Sequence, residues 1–454
     1  MLIRFALVMV FACALPQATD GSAAAETGGV ALQQSRNSIS QRGSVWVWNR
    51  DENGDSLEMT VRGEVEFNDD YTEVKRVADG GSLEVRESRG GLRRRLEIEA
   101  GPGGGLSFSY SVNGQNRPYD TDAKAWFARV LDEAVTESGL NAGPRAQKIL
   151  KERGADGLLD EISRFKSDHV KNLYFQELFK SGRLDARAAT RVAWIASRQM
   201  SSDHYKAQVL AGLQEQAVRD ETTRAALLEA AGTIRSDHYR AQTLLAGLKS
   251  DKLSKEALLL ALKGVGGISS DYYKTQVLLK VAESDFDDNA IRSAYVEAAA
   301  TVGSDHYRAQ ALSAVLKRDD ISKEALRSVL KAASGISSDH YKAQVLLDVA
   351  GSSLNDDAAR SAFVETAATI GSDHYRAQAL SALLSKGDNS KEALLVALKA
   401  TAGMSSDHYK AQTLLKLAGE RPTNDETVRA ALIEAARSIK SDYERGRVLS
   451  AIIK

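Results

Sequence analysis

The sequence predicts a mostly α protein, in which an α-solenoid of about nine helical hairpins follows a small antiparallel β domain. Three observations favour this fold. A Ser-Asp-His-Tyr motif recurs at intervals of 34 or 35 residues, proline is absent from 145 to 421, and apolar and polar residues alternate between 44 and 112. A recurring motif indicates one structural unit per copy, proline-free sequence suits helix, and alternation is typical of strands.

The segment 1–25 has the pattern of a secretory signal peptide. Arg4 supplies the positive charge, Phe5 to Ala14 form an apolar run too short to span a bilayer, and small residues end at Ala25. We therefore expect an exported protein, periplasmic or extracellular, with no transmembrane segment in the mature chain. Lipidation at Cys13, the single cysteine, is the less favoured alternative.

Residues 26–42 are small and polar and are predicted to be a linker, and 43–119 an antiparallel β domain. Strands at 44–49 and 57–67 flank an Asn53-Gly54 turn. Further strands are expected at 72–77, 83–88, 92–100 and 106–112, which makes a meander of about six strands. One face of the 57–67 strand should carry Leu57, Met59, Val61, Val65 and Phe67.

Two features of the β domain are candidates for a site. Arg93-Arg94-Arg95 is compatible with an anion-binding patch, but Arg94 alternates to the opposite face and acidic residues are near, so a solvated strand face is favoured. Trp46 and Trp48 mark the strand where an unrecognised enzyme site would be sought, although aromatic residues in such strands usually belong to the sheet core.

A helical connector is predicted over 120–166 and the solenoid over 167–454. Trp126, Val130, Leu131, Ala134 and Val135 have the spacing of one helix face, and 141–144 should break that helix. Two more short helices are expected to reach residue 166.

The solenoid repeat has two periods. The motif aspartate stands at 168, 203, 237, 271, 305, 339, 373, 407 and 442. The residue three positions later alternates between lysine and arginine from 206 to 445. Residues 268–335 and 336–403 are identical at 46 of their 68 aligned positions. The duplicated unit was therefore a pair of repeats.

Each repeat is predicted to hold two helices. In the first, Tyr341, Val345 and Val349 share an apolar stripe, and Ser338 or Asp339 is suited to capping the helix start. The second should run over 356–370. One hairpin cannot bury its own apolar face, so neighbours must stack. Because the Trp-Leu-Gly-Tyr pattern of tetratricopeptide repeats is missing, a HEAT-like solenoid is the preferred assignment.

The repeated polar residues have structural and functional interpretations. Helix-start structure is favoured for the seven histidines, over pH sensing or ligand binding, and over metal binding because adjacent copies lie too far apart to share an ion. Each aspartate is expected to pair with the cation three residues on and to form a ladder between repeats. The motif tyrosine should be a core side chain with its hydroxyl at the edge, and the glutamines should either line an inner surface or be exposed. The histidines stand at 169, 204, 238, 306, 340, 374 and 408, and the glutamines at 208, 242, 276, 310, 344, 378 and 412.

An extracytoplasmic region found downstream of bacterial BlaR/MecR-type membrane metallopeptidases resembles this chain from about 44 to 454. The resemblance lies in 65–75 (VEFNDDYTEVK), 80–85 (GGSLEV), 125–135 and 162–175 (ISRFKSDHVKNLYF), and Ser-Asp-Tyr repeats follow in both. The membrane helices and zinc peptidase motif of that family are absent from this sequence. The resemblance therefore implies an exported sensor-like or binding module, and no catalytic residue carries over.

We expect an exported, non-enzymatic protein- or peptide-binding scaffold that uses the extended solenoid surface. No Ser/His/Asp triad, P-loop or paired-carboxylate motif stands out, so no catalytic, cofactor-binding or metal-binding residue is predicted. The formal net charge of -1 argues against a nucleic-acid partner. The alternative is a sensory or regulatory module of the cell envelope that acts with a membrane protein or peptidase.

Overall fold

The structure is a computed structural model that describes residues 36–182, 184–250, 252–284, 288–317, 321–352, 354, 357–385, 390–420 and 425–453. The predicted signal peptide 1–25 with Cys13, and residues 26–35 of the predicted linker, lie outside the described residues. The chain divides into two compact units, of which the first ends at Arg129 and the second begins at Val130.

The first unit is built on antiparallel strands. The strands in its described part are β1 (Arg36–Arg42), β2 (Val45–Glu52), β3 (Asp55–Arg62), β4 (Val65–Phe67), β5 (Val74–Val77), β6 (Ser82–Arg89), β7 (Leu92–Ala100), β8 (Leu106–Val112) and β9 (Gln115–Asn116). Seven of them form one sheet in the order β1-β2-β3-β6-β7-β8-β9, and β4 pairs with β5 in a separate ladder.

This sheet is larger than the sequence predicts. Residues 36–42, predicted to be linker, form the edge strand β1, because backbone pairing with β2 along its length requires no apolar side chains. The predicted strand 57–67 is two strands, since Gly63 adopts a φ of +67° and turns the chain between β3 and β4. Asn53 and Gly54 both have positive φ and form the predicted turn.

The core of the first unit lies on one face of the sheet. Trp48, Met59, Val85 and Leu96 stand side by side on β2, β3, β6 and β7 in hydrogen-bonded register, and all four are 0% exposed. The predicted apolar face is confirmed for Leu57, Met59 and Val61, which are buried, whereas Val65 and Phe67 on β4 are half-buried.

Helix α1 (Thr121–Glu133) covers that face. The indole Nε1 of Trp126 donates a 2.7 Å hydrogen bond to the buried carboxylate of Glu87 on β6, and Arg129 donates to the same group. Arg94 Nη1 lies 3.9 Å from Glu87, so Arg94 points to this face, as its alternation predicts.

The helical connector contains α1 and α2 (Ala142–Arg164). Between them lie a π-helical turn, Ala134–Ser138, and Gly139 with a φ of 72°, so the chain turns before the predicted break at 141–144. Pro144 falls in the first turn of α2, where proline is tolerated. A kink at Gly154 divides α2, which corresponds to the two short helices expected.

The second unit is an α-solenoid, as predicted. Each motif aspartate begins one helix, which we call a first helix: α3 (Asp168–Lys180), α5 (Asp203–Ala211), α8 (Asp237–Gly247), α10 (Asp271–Ala282), α12 (Asp305–Leu316), α14 (Asp339–Gly351), α16 (Asp373–Leu384), α18 (Asp407–Glu420) and α20 (Asp442–Ile453). The second helices are α4 (Ala186–Gln199), α7 (Glu221–Ala231), α9 (Lys255–Val265), α11 (Asn289–Ala300), α13 (Lys323–Ser334), α15 (Asp357–Ala368), α17 (Lys391–Ala402) and α19 (Glu426–Arg437). A short helix, α6 (Gln214–Arg219), lies between α5 and α7.

First helices pack on first helices and second helices on second helices, which makes two layers. The buried stripe of α14 consists of Val345, Leu346 and Val349, each 0% exposed, while Tyr341 is half-buried. Phe363 on α15 is also fully buried between the layers. Stacking of neighbours thus supplies the core that a single hairpin lacks.

Candidate functional site

The motif aspartates join each repeat to the next. Asp339 Oδ2 accepts a 2.8 Å hydrogen bond from the backbone N–H of Ser372, and its Oδ1 accepts a 3.0 Å bond from Gly371. Equivalent bonds, across 32 to 34 residues, are made by Asp168, Asp203, Asp237, Asp271, Asp305, Asp373 and Asp407. Backbone donors at a helix start have no helical acceptor. Each aspartate therefore holds the start of the first helix of the following repeat. Of the two residues predicted as caps of α14, Ser338 occupies the N-cap position without a side-chain hydrogen bond there, and Asp339 bonds the following repeat instead.

The lysine or arginine three residues after the aspartate forms hydrogen bonds at the carboxyl-terminal end of a second helix. Lys342 Nζ donates 2.9 Å to Thr369 Oγ1, and Arg376 Nε donates 2.8 Å to the carbonyl of Ile370. A positive charge is favourable at a helix carboxyl end. The predicted pairing of this cation with its own aspartate is seen at Lys171, 4.0 Å from Asp168, and at Arg445. Lys171 and Arg445 also donate to the carbonyls of Gln199 and Ile439, so every one of these cations that the structure describes reaches the end of a second helix.

The alternation of lysine and arginine has a steric cause. Lys342 of the preceding first helix and Arg376 of the following one both reach the end of α15. Arg308 also donates 2.8 Å to the carbonyl of Gly335, where a Cβ would lie 3.0 Å from the Arg308 guanidinium. The contacts of Lys342 and Arg308 each span 27 residues, and threonine stands at that distance after Lys206, Lys274 and Lys342, and glycine after Arg240, Arg308 and Arg376. The structural unit is thus a pair of repeats.

The motif histidines and tyrosines form one ladder along the first helices. His204 Nδ1 lies 3.0 Å from the hydroxyl of Tyr239 in the next repeat, and His238 Nδ1 lies 3.2 Å from the hydroxyl of Tyr273. From His306 to Tyr409 the successive ring centroids are 5.0 to 5.5 Å apart. We define the histidine row as the seven histidines together with Tyr272. We define the tyrosine row as Tyr205, Tyr239, Tyr273, Tyr307, Tyr341, Tyr375 and Tyr409, each of which directly follows a member of the histidine row. Ring contacts therefore continue from one repeat to the next along both rows.

The motif tyrosines and histidines differ in burial. Tyr341 and its equivalents are half-buried and pack against the core of the solenoid. The hydroxyls of Tyr205, Tyr239 and Tyr273 lie 3.0 to 3.2 Å from the Nδ1 of the histidine in the preceding repeat, at the edge of that core. Histidines from 204 to 408 are exposed. Half-burial of His169 lowers its pKa. The aspartate beside each histidine is occupied by backbone N–H groups of the next repeat, which for Asp407 come from Lys440 and Ser441 and lower its pKa.

The glutamines form a third row beside the histidines. Each stands four residues after a member of the histidine row, which places both on the same side of the helix. Gln276 is half-buried and the other six are exposed. Among the described residues, no hydrogen bond is made by the side chains of Gln242, Gln310, Gln344, Gln378 and Gln412. We call the outward side chains of the histidine, tyrosine and glutamine rows the His–Gln face.

The second helices present a different surface. Their most regular exposed row alternates in charge along the solenoid: Glu229, Lys263, Glu297, Lys331, Glu365 and Lys399. On the preceding second helix, Trp194 is 54% exposed beside a cavity of about 140 Å³. Sequence reasoning missed this row and Trp194, although both are visible once the repeats are aligned. Alternating charge of this kind is typical of a solvated face.

The first unit offers weaker candidates. Trp48 is buried and its Nε1 donates 2.7 Å to Asn37 Oδ1, which makes it a core residue. Arg95 pairs with Glu84 at 2.8 Å on the outer face. That face forms a polar trough of about 1510 Å³ in which arginines and acids are mixed.

The described ranges hold neither a grouped metal-ligand set nor a membrane-spanning helix. No group of three or more His, Cys, Asp or Glu side chains in them has the arrangement of a metal site. No helix in the same ranges combines the length and apolarity needed to cross a membrane.

Comparisons with known proteins give little. No protein-family model and no curated protein matches the chain. A solved structure from "Computational Design of Self-Assembling Cyclic Protein Homooligomers" is 15% identical and covers 62% of this chain and 92% of its own, at a TM-score of 0.13. A TM-score this low carries no argument about fold or assembly. The resemblance to the BlaR/MecR-type extracytoplasmic region stays a prediction.

Proposed function

We propose that the protein is an exported, non-enzymatic scaffold that binds a protein or peptide partner through the His–Gln face. The contrast between the two helix layers supports this proposal. Over seven consecutive first helices, from α5 to α18, the three rows present imidazole, phenol and amide groups and no carboxylate, ammonium or guanidinium group. The second helices instead carry the row of alternating glutamate and lysine.

Desolvation explains why this contrast matters. The buried centre of a protein interface is depleted in charged residues and enriched in aromatic ones. Removing a charged group from water is expensive unless it is paired, whereas an amide or imidazole needs only a hydrogen-bond partner. The His–Gln face can therefore be covered at lower cost than the alternating row of the second helices.

The contacts between repeats add rigidity to that face. The aspartate bonds and the His–Tyr contacts join one repeat to its neighbour, and the cation bonds hold first helices to the ends of second helices, so side chains of successive repeats are held at fixed separations. A preorganised surface loses less conformational entropy when a partner binds. This favours a binding role over a loosely ordered spacer.

Export is part of the proposal and rests on the sequence pattern of residues 1–25. The partner would then be an extracytoplasmic protein or peptide, including the outward part of a membrane protein. The alternative, a sensory module of the envelope, would use the same surface.

Charge-matched variants test the proposed face. The triple variant Gln310→Glu, Gln344→Glu, Gln378→Glu and the control Lys263→Ala, Lys331→Ala, Lys399→Ala each lower the net charge by three. Tagged wild type and both variants would be recovered from the native host and their bound proteins quantified. We expect a bound partner to be lost from the glutamine variant and kept by the control. The reverse pattern, or equal binding by all three proteins, would refute the proposed face.

A further inference from the structure

The spacing of the histidine row limits what can lie along it. His306 and Tyr341 ring centroids are 5.3 Å apart and those of Tyr341 and His340 are 5.0 Å apart. The two histidine rings are therefore no farther apart than about 10 Å, which is also the upper end of the axis separation of packed helices. The Tyr375 ring centroid lies 5.5 Å from that of His340 and 5.1 Å from that of His374, so the separation of these two histidine rings has nearly the same upper limit. Because packed helix axes lie about 8–10 Å apart, a ligand that meets every repeat in the same way must repeat within about that range.

Among extended peptide conformations, polyproline II has a matching period. It has three residues per turn and rises about 3.1 Å per residue, so every third residue faces the same side at about 9.3 Å. In a β-strand, residues on the same side repeat every two residues, at about 6.6–6.8 Å, and residues three apart face opposite sides. A strand would therefore meet successive repeats differently, whereas a polyproline II helix meets each repeat with an equivalent residue.

The chemistry of the His–Gln face suits the same conformation. A polyproline II backbone has no internal hydrogen bonds, so its carbonyl groups remain free to accept. Gln310, Gln344 and Gln378 are exposed and their amides have no hydrogen-bond partner among the described residues, so each can donate to one carbonyl per turn. The exposed imidazoles and half-buried phenols beside them supply the aromatic surface on which pyrrolidine rings pack.

Charge agrees with this assignment. The rows from α5 to α18 carry no formally charged group with histidine neutral, which matches an uncharged, proline-rich segment and not an acidic or basic one. We propose that the His–Gln face binds a peptide in the polyproline II conformation, one three-residue turn per repeat, with the glutamine amides on its carbonyls and the His–Tyr ladder against its side chains. This inference rests on the proposed function and names the partner class for the same face.

A series of fluorescein-labelled oligoprolines, each one turn longer than the last, tests the inference against the full chain by fluorescence anisotropy. The longest peptide has one turn for each first helix from α5 to α18. A glycine–serine peptide of that same length and a labelled neutral cello-oligosaccharide serve as comparison ligands. We expect affinity for oligoproline to rise with each added turn, and the comparison ligands to bind at least about tenfold more weakly than the longest oligoproline.

Two variants complete the test. Loss of three hydrogen bonds in Gln310→Ala, Gln344→Ala, Gln378→Ala should weaken binding of the longest oligoproline by at least about tenfold. The net-neutral control Lys331→Ala, Glu365→Ala should bind it as wild type does. Circular dichroism should show unchanged helix content in both, because all five side chains are exposed.

The results separate this inference from the proposed function. Equal binding of the glycine–serine peptide, preferential binding of the oligosaccharide, no oligoproline binding, or no effect of the triple alanine variant would each overturn the polyproline II inference. If the triple glutamate variant nevertheless loses its partner in the native host, the proposed face stands and only its ligand conformation is wrong. If that variant keeps its partner, the face itself is wrong.

Discussion

Each motif contributes three kinds of contact between helices of the solenoid, through its aspartate, its lysine or arginine, and its histidine. The aspartate holds the start of the next first helix, the cation holds the end of a second helix, and the histidine meets the next tyrosine. At this scale each cation has its own kind of partner. Lys342 reaches the hydroxyl of Thr369, whereas Arg308 lies over Gly335, where a Cβ would be 3.0 Å from the guanidinium. At Gly403 the same Cβ would be 4.0 Å from Arg376, so the space is tighter at Gly335 than at Gly403.

The pairing of arginine with glycine predicts a coupling between two positions. Gly335→Thr should cost up to about 1 kcal/mol of unfolding free energy, because its Cβ would lie 3.0 Å from Arg308 Nη1 and would displace the guanidinium from the Gly335 carbonyl. Adding Arg308→Lys should recover most of that loss, since lysine followed by threonine 27 residues later occurs elsewhere in the chain. Chemical denaturation of both single variants and the double variant measures the coupling. Simple additivity of the two changes would contradict the steric explanation.

The aspartate bonds predict a position-dependent loss. Asp339→Ala leaves the N–H groups of Gly371 and Ser372 without their acceptor and should cost about 1–3 kcal/mol of unfolding free energy. Asp442→Ala is the matched control, because the Asp442 side chain is 88% exposed and pairs with Arg445 of its own helix. That change should cost less than about 0.5 kcal/mol. Equal losses in the two variants would show that the bond between repeats is not what the aspartate contributes.

Burial of His169 predicts an acid-dependent loss of stability. Because burial lowers the pKa of His169, the folded chain resists protonation there. An imidazole in the unfolded chain titrates near pH 6.5, so stability should fall as pH drops below about 6.5 toward the lowered pKa of the folded state. Melting curves at pH 7.5 and 5.5 should show a larger acid loss for wild type than for His169→Tyr. A smaller acid loss for wild type than for His169→Tyr would mean that burial does not control the protonation of this imidazole.

At the scale of helices and strands, the unit that stacks is a pair of repeats. The end of α15 receives Lys342 and Arg376, whereas the end of α13 receives Arg308 at Gly335. The two kinds of helix end alternate along the solenoid. The 68-residue period, by which 268–335 repeats as 336–403, therefore reflects which lysine and arginine side chains reach each second-helix end.

This alternation predicts that a deletion is tolerated only if it keeps the two kinds of second-helix end in alternating order. Removing 336–403 joins Gly335 to Met404 and keeps each kind of helix end in order, so a shorter solenoid should fold with a melting temperature close to that of wild type. Removing only 336–369 leaves Arg308 and Arg376 at one helix end and should lower the melting temperature. Differential scanning calorimetry compares them. Equal behaviour of the two deletions would mean that a single repeat is self-sufficient.

Local features could be predicted from the sequence, and contacts between distant positions could not. Helix starts follow from the serine and aspartate of each motif, and the Asn53-Gly54 turn follows from its two residues. The partner of Asp339 lies 33 residues away in another repeat, and no local pattern identifies it. Strand β1 was not predicted from the sequence because an edge strand needs only backbone pairing. The break at Gly63 was not predicted because the alternation of apolar residues continues through it.

For the whole molecule, the same distinction applies to the candidate site. The histidine and glutamine rows were visible in the sequence, but their exposure and the charged row on the second helices depend on how the two layers pack. The consequence is a His–Gln face without formally charged groups on seven first helices, with half-buried Lys280, Asp348 and Lys416 one turn beyond it, and a face of alternating charge on the second helices. The proposed binding role depends on that difference between the layers.

Site-specific photocrosslinking tests the central claim most directly. A photoreactive amino acid would be placed at Gln310, Gln344 or Gln378 on first helices, and at Lys331, Glu365 or Lys399 on second helices, in the chain produced in its native host. All six positions are exposed, so the two sets differ in the layer that they sample. We predict that the glutamine positions crosslink one common partner, identified by mass spectrometry, and that the second-helix positions do not. Crosslinks to the same partner from the second-helix positions alone, or equally from both sets, would contradict the assignment of the His–Gln face.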